Sequence, residues 1–208
     1  MKKTLIIFCC WCFLLLAQSS FAVSFGMKMG FNTTSQDFTF RQFGDLGKLN
    51  KTGAEFGVFL EFPLVSTFSF TTEIRYLQKG EQFDYFTWGG NLTNPDPAIL
   101  GRLSYVSFIA LAKLKIPLSG INLYGLMGPR FDFKVGPKEV VGYEIYTNSY
   151  QSPIAGSIIG AGMEFKLGGV GWFLVEGYYG FDWKKLYDSA DLVIDSQTVG
   201  FLIGVRTP

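Results

Sequence analysis

Eight stretches of this chain alternate between apolar side chains and polar or small ones, and every charged residue inside them falls on the same phase as the other charges of its stretch. They run from Ser24 to Asn32, Thr52 to Phe62, Phe68 to Gly80, Leu103 to Ile116, Leu123 to Lys134, Ile154 to Leu167, Trp172 to Asp182 and Gln197 to Arg206. In the first, Phe25, Met27, Met29 and Phe31 alternate with Gly26, Lys28, Gly30 and Asn32. In the last, Val199, Phe201, Ile203 and Val205 alternate with Thr198, Gly200, Leu202, Gly204 and Arg206. A period of two is the mark of a strand with two unlike faces. The charged residues are Lys28, Glu55, Glu61, Glu73, Arg75, Lys79, Lys113, Lys115, Arg130, Asp132, Lys134, Glu164, Lys166, Glu176, Asp182 and Arg206. A slip of one residue would move a charge to the other face, so their agreement ties all eight segments to one face-up arrangement.

Such a set of strands has two ways to bury its apolar face: toward lipid or toward an internal cavity. The N-terminus favours export. Lys2 and Lys3 precede an apolar run from Leu5 to Leu16, then a polar stretch that closes on Ser20, Phe21 and Ala22. This reads as a signal peptide over residues 1–22, with the mature chain starting near Val23. The run is too short for a transmembrane helix, which needs ~20 residues. Cys9, Cys10 and Cys12 all lie inside it, so the mature chain has no disulfide to stabilise it. No later segment is long and apolar enough to span as a helix, and the other backbone able to cross a bilayer is a closed barrel. The chain also carries 22 Phe, apolar area that a lipid-facing wall would accommodate. The expected fold is therefore all-β: residues 23–208 form an eight-stranded antiparallel up-and-down transmembrane β-barrel, its apolar face in lipid and its charges inside.

The connections carry a separate signal. Those at Pro63–Thr67, Pro117–Asn122 and Gly168–Gly171 are short and rich in turn formers, while those at Thr33–Lys51, Glu81–Arg102, Val135–Pro153 and Trp183–Ser196 are long. Strict alternation of short and long is expected when one rim faces the periplasm and the other the exterior, and an even strand number then brings both termini to the periplasmic side. Aromatics near the strand ends suit two interfacial girdles: Phe25, Phe62, Phe68, Phe165 and Trp172 at one rim, and Tyr76, Phe133, Tyr179 and Phe181 at the other.

The segments FGMKMGFN, GVFLEFPL, FTTEIRYLQKG, LYGLMGPRFDF, GAGMEFKLG and FLVEGYYGF, in this order and spacing, resemble successive strands of the outer-membrane β-barrel family widespread in Bacteroidetes and often labelled PorT-like. The resemblance covers nearly the whole mature chain. It implies an eight-stranded outer-membrane barrel and says little about activity, although the PorT branch is associated with a secretion apparatus. In one respect the sequence departs from such barrels, which usually end in an aromatic residue: it closes on Val205, Arg206, Thr207 and Pro208.

Several functions are disfavoured by what the chain lacks. Without Lys2 and Lys3 it has 16 basic and 17 acidic residues, which points to no nucleic-acid partner. It has no histidine, so a Ser-His-Asp triad, an Asp-His pair and a His-containing metal site are all excluded. Neither a catalytic set, a metal site nor a cofactor is expected. Lys28, Glu55, Glu61, Glu73, Arg75, Lys79, Lys113, Arg130, Asp132, Glu164, Glu176 and Arg206 are expected to neutralise one another as a charge network in the lumen. Eight strands leave an interior about wide enough for side chains to fill, so the lumen is expected to be plugged. Inward glycines such as Gly57 and Gly200 would seat neighbouring Tyr or Arg side chains.

Function then falls to the long loops, where Trp88, Tyr143 and Tyr146 are candidate contacts for a protein or a surface glycan. Asp188, Asp191 and Asp195 form a weaker candidate for calcium. The combined expectation is a non-enzymatic, monomeric barrel of the Gram-negative outer membrane, with lipid around it. Two alternatives stand beside it: a component of an outer-membrane protein secretion apparatus, and a secreted lipocalin-like barrel with the two faces reversed.

Overall fold

The computed structural model describes residues 23–40, 44–82, 100–135, 152–185, 187–188 and 192–208. Residues 1–22, where the signal peptide is expected, lie outside them, as do Trp88, Tyr143 and Tyr146. Eight strands make the wall: β1 (Ser24–Phe40), β2 (Gly44–Val65), β3 (Phe68–Gln82), β4 (Leu100–Leu118), β5 (Ile121–Val135), β6 (Ile154–Lys166), β7 (Trp172–Asp182) and β8 (Leu192–Arg206). Each pairs antiparallel with the next, and β1 pairs with β8 from Gly26↔Arg206 to Phe40↔Leu192. That last pairing closes the sheet, leaving no free edge inside a bilayer. A two-residue strand, Tyr187–Asp188, is added against Ile194 and Val193 of β8.

Consecutive strands meet in tight reversals at one end, the turn rim. Leu118 pairs with Ile121 across Ser119 and Gly120, and Gly120 has φ +80, a conformation that a side chain would resist. Gly168, in the next reversal, has φ +57. The first residue of β1 and the last of β8 lie at this same rim.

At the opposite, loop rim the strands run further than the alternation predicted. The expected first long loop, Thr33–Lys51, is mostly a continuation of the β1–β2 ladder, with Thr33↔Thr52 and Asp37↔Lys48 in register and residues 41–43 outside the description. β1 is 17 residues long and β2 22, against the ~9–11 that a tilted strand needs to cross a bilayer. Beyond the apolar band there is no lipid face, so Thr33, Thr34, Ser35, Gln36 and Asp37 follow one another without alternation and give no period-two signal. β8 likewise starts at Leu192 rather than Gln197.

Side-chain orientation follows the sequence phase. Phe25, Met27, Met29, Phe31, Phe56, Val58, Ile74, Phe108, Val199 and Phe201 are exposed on the outer wall, while Lys28, Glu55, Glu73, Arg75, Glu176 and Arg206 are buried inside. A lipocalin-like soluble barrel would need the reverse. Outer aromatics pair across strands, as in Phe56–Tyr76 at 5.4 Å and Phe165–Phe173 at 6.4 Å between ring centroids. Trp172 corrects the expected girdle. It is paired with Arg206, whose guanidinium lies over the indole at 5.6 Å, and so it faces the lumen. Its even position, shared with Glu176, already put it on that side; its size and place near a strand end suggested a girdle.

Candidate functional site

Among the described residues, the interior gathers chemically active side chains from all eight strands. Its charged residues stack in three tiers between the turn rim and the loop rim.

Nearest the turn rim, Lys113 donates to Glu61 at 2.9 Å and to Glu164, and Lys115 also donates to Glu61. Arg206 reaches Glu164 through Nη2 at 3.2 Å and Ser24 Oγ through Nη1 at 3.0 Å. Three cations here face two carboxylates.

The middle tier crosses the barrel from β1 to β7. Lys28 Nζ lies 2.8 Å from Glu73 and 2.7 Å from Glu176. Arg75 spreads its guanidinium over three carboxylates: Nε donates to Glu73 at 2.6 Å, Nη1 to Glu55 at 3.1 Å and Nη2 to Glu176 at 3.3 Å. Two tyrosines complete the acceptors' shells, Tyr124 donating to Glu176 at 3.0 Å and Tyr178 to Glu55 at 2.5 Å. Toward the loop rim, Lys79 donates to Asp132 at 2.6 Å, Ser107 donates to the other oxygen of Asp132, and Arg130 bonds Asp182.

The tiers are joined by aromatic rings. Lys113 Nζ sits 4.0 Å over Tyr124, whose hydroxyl serves the middle tier, and Arg75 lies 5.0 Å from the Tyr178 ring centre. Together the three tiers hold seven cations and seven carboxylates, all with opposite-charge partners. Full pairing is what allows so many ions to be buried at once, since an isolated ion in a low-dielectric interior costs several kcal/mol.

Each of the twelve lumen residues named from the sequence lies in this array. Lys115 and Asp182 join them as partners of Glu61 and Arg130. Lys166, which shares their phase, is exposed at the turn rim. Two features were not anticipated. The hydroxyls of Tyr124, Tyr178 and Ser107 act as donors to carboxylates. Ile109, Leu111, Leu126, Ile158 and Leu202 pack with Tyr124 and Tyr178 into an apolar wedge inside the barrel. Their even or odd positions would have placed them inside, but apolar residues on the charged phase look like noise when only charges are followed.

Glycine makes room for the large members. A Cβ at Gly200 would collide with the Tyr178 ring, and one at Gly57 would press on Arg75. Among the described residues no group of three or more carboxylates is placed to hold a metal ion, and Asp191 of the calcium candidate lies outside them.

A family model described as "Outer membrane protein beta-barrel domain" matches residues 16–181. No curated protein matches the sequence. Among solved structures, the chain is similar to the outer membrane protein OprG from Pseudomonas aeruginosa, with 13% identity, a TM-score of 0.53, and coverage of 91% of this chain and 98% of that one. Neisserial surface protein A (NspA) gives 10% identity, a TM-score of 0.51, and coverage of 88% and 96%. At such identities the likeness concerns the fold alone.

Proposed function

The chain belongs to the outer-membrane protein β-barrel domain family, and we propose that it serves in that membrane as a non-enzymatic, non-conducting barrel that presents its loop rim to partners at the cell surface. The observation that carries this reading is the complete pairing of the interior charges. Side chains whose charge is cancelled by close partners, and whose remaining space is taken by tyrosines and an apolar wedge, leave no wide aqueous path and no unpaired acid or base for catalysis. The absence of histidine from the sequence points the same way.

With the outer wall committed to lipid and the interior to itself, partner contact falls to the connections at the loop rim. Segments 83–99 and 136–151 contain Trp88, Tyr143 and Tyr146, aromatic anchors of the kind that dominate protein interfaces or stack on sugars. The turn rim and both termini then face the periplasm, and residues 1–22 are removed on export. Mass measurement of the protein purified from outer membranes is expected to give a chain starting at Val23; a retained segment 1–22 would refute the signal-peptide assignment. The finer placement in the PorT-like branch of Bacteroidetes rests on the strand segments quoted above. Recovery of secretion components with the solubilised protein would support it.

Two measurements test the main reading. In planar bilayers the purified protein is expected to give no sustained porin-like current steps, and stable open channels would contradict the filled interior. On cells, shortening segments 83–99 and 136–151 to Gly-Ser turns is expected to abolish binding to surface partners while the barrel still assembles. Partner binding that survives both deletions would overturn the assignment to the loops.

A further inference from the structure

We infer that the turn-rim end of the lumen is a binding site for one phosphate-type oxyanion, held by Lys115, Arg206 and the hydroxyls of Ser69 and Thr71. Three cations of this tier, Lys113, Lys115 and Arg206, face two carboxylates, Glu61 and Glu164, which leaves one positive charge in excess. Lys166, exposed at the same rim, adds to it. The opposite imbalance lies one tier away, where Lys28 and Arg75 face Glu55, Glu73 and Glu176. Those carboxylates already accept from Lys28, Arg75, Tyr124 and Tyr178, so their oxygens do not serve the turn rim. Pro208 likewise places its oxygen on Ser24, at 3.1 Å.

Donors beside these cations are unspent. Ser69, 1% exposed, and Thr71, 3% exposed, both lack a hydrogen-bond partner for the side-chain hydroxyl among the described residues. Buried polar groups are nearly always bonded, so two free hydroxyls on neighbouring inward positions of one strand mark a place where something else is held. The register puts them among the ions. Ser69 stands directly opposite Lys113 on β4, and Thr71 directly opposite Glu61 on β2, with ~4.5–5.5 Å between paired Cα atoms. Lys113 and Lys115 both donate to Glu61, and Arg206 Nε lies 3.9 Å from it without a hydrogen bond of its own. Lys115 Nζ keeps protons beyond the one it gives Glu61.

Charge and geometry select the occupant. A metal cation would add to the positive excess, and a neutral molecule would leave it in place. Glu61, which would repel an anion, is itself matched by Lys113 and Lys115. The unspent donors come from β3, β4 and β8 and so approach from different sides of the lumen. A carboxylate presents two oxygens in one plane, whereas a tetrahedral oxyanion accepts on every side, and Arg and Lys make their strongest hydrogen bonds to such charged oxygens. Lys115, the most open side chain of the tier at 11% exposure, marks the way in from the turn rim. Because the donors line the lumen and not the lipid-facing wall, a soluble phosphate fits better than a lipid headgroup. The site is independent of partner binding at the loop rim.

Calorimetric titration decides the matter. The mature protein in a neutral, phosphate-free detergent is titrated with inorganic phosphate at constant ionic strength, and one saturable site is expected, with sulfate competing and chloride not. Thr71→Val and Ser69→Ala are each expected to weaken binding about tenfold, the loss that one hydrogen bond to a charged group implies. Neither substitution removes a charge or an existing hydrogen bond, so both variants are expected to assemble as the parent does, judged by gel mobility with and without boiling. Thr198→Val, at the loop-rim end of the lumen, is expected to leave binding unchanged. In phosphatidylglycerol nanodiscs the phosphate affinity is expected to persist; its loss there would hand the site to the lipid headgroup and overturn the assignment to a soluble ion. Absence of saturable binding, equal binding of chloride, or undiminished binding by both the Ser69 and Thr71 variants would overturn the inference outright.

Discussion

Replacing Arg75 by alanine is expected to lower the stability of the folded barrel by about 3–5 kcal/mol, the cost typical of removing one partner from a buried ionic cluster. Arg75 is 1% exposed and is the group through which Glu55, Glu73 and Glu176 are held together. With it gone, Lys28 alone faces three carboxylates, and Lys28 reaches only Glu73 and Glu176. Glu55 would keep the Tyr178 hydroxyl but no cation. Urea unfolding in phospholipid vesicles, followed by the boiling-sensitive gel shift, measures the loss. The second substitution Glu55→Gln in the same chain is expected to restore part of it, because it removes the charge left without a counter-ion; such coupling is the signature of a direct contact. A loss well below 1 kcal/mol for Arg75→Ala would mean that water solvates the middle tier, and the filled-interior reading would fail.

The second large effect concerns the outer wall. Val199→Arg is expected to cost about 2–4 kcal/mol, whereas Val205→Arg costs about 0–1 kcal/mol, because a lipid-facing cation is most expensive at the bilayer midplane and nearly free at the interface. Both valines are exposed on β8, Val205 beside its last residue at the turn rim and Val199 deeper along the strand. The same unfolding assay in vesicles compares them. Equal and small costs at both positions would indicate that the wall faces water, and a reversed order would misplace the membrane along the strands.

The strands and their orientation were legible because the bilayer imposes a simple rule on alternate residues. Glu55 and Glu61, or Lys113 and Lys115, stand an even number of positions apart, and no placement of these strands puts one inside and the other in lipid. Where that rule lapses, so did the reading. Thr33 to Asp37 lie beyond the apolar band and do not alternate, and their pairing comes from continuing the ladder below rather than from any pattern of their own. Trp172 shows the opposite failure, a residue whose type suggested the girdle although its phase, shared with Glu176, put it beneath Arg206.

The partnerships inside the barrel were not legible in any detail. Lys28 and Glu176 are 148 residues apart and meet only because the sheet closes. Which cation serves which carboxylate depends on side-chain reach across the lumen and on the height at which each strand presents it. The sequence gives only the face. The hydroxyl donors Tyr124 and Tyr178 depend on the same geometry and on glycines opposite them, so they appear as bulk in the sequence and as hydrogen-bond donors in three dimensions.

The distribution of interior charge among the hairpins bears on how such a barrel is assembled. β3 and β4 together contribute Arg75, Lys79, Lys113 and Lys115 against Glu73, a strong cationic surplus. Counting only the ions of the three tiers, each other hairpin is anionic by one: Lys28 with Glu55 and Glu61, Arg130 with Asp132 and Glu164, Arg206 with Glu176 and Asp182. A hairpin entering hydrocarbon alone would thus drag unmatched ions with it, whereas the four converging together arrive electrically neutral. The ions of the three tiers are fully matched only once the sheet has closed, as the Lys28–Glu176 pair between β1 and β7 requires.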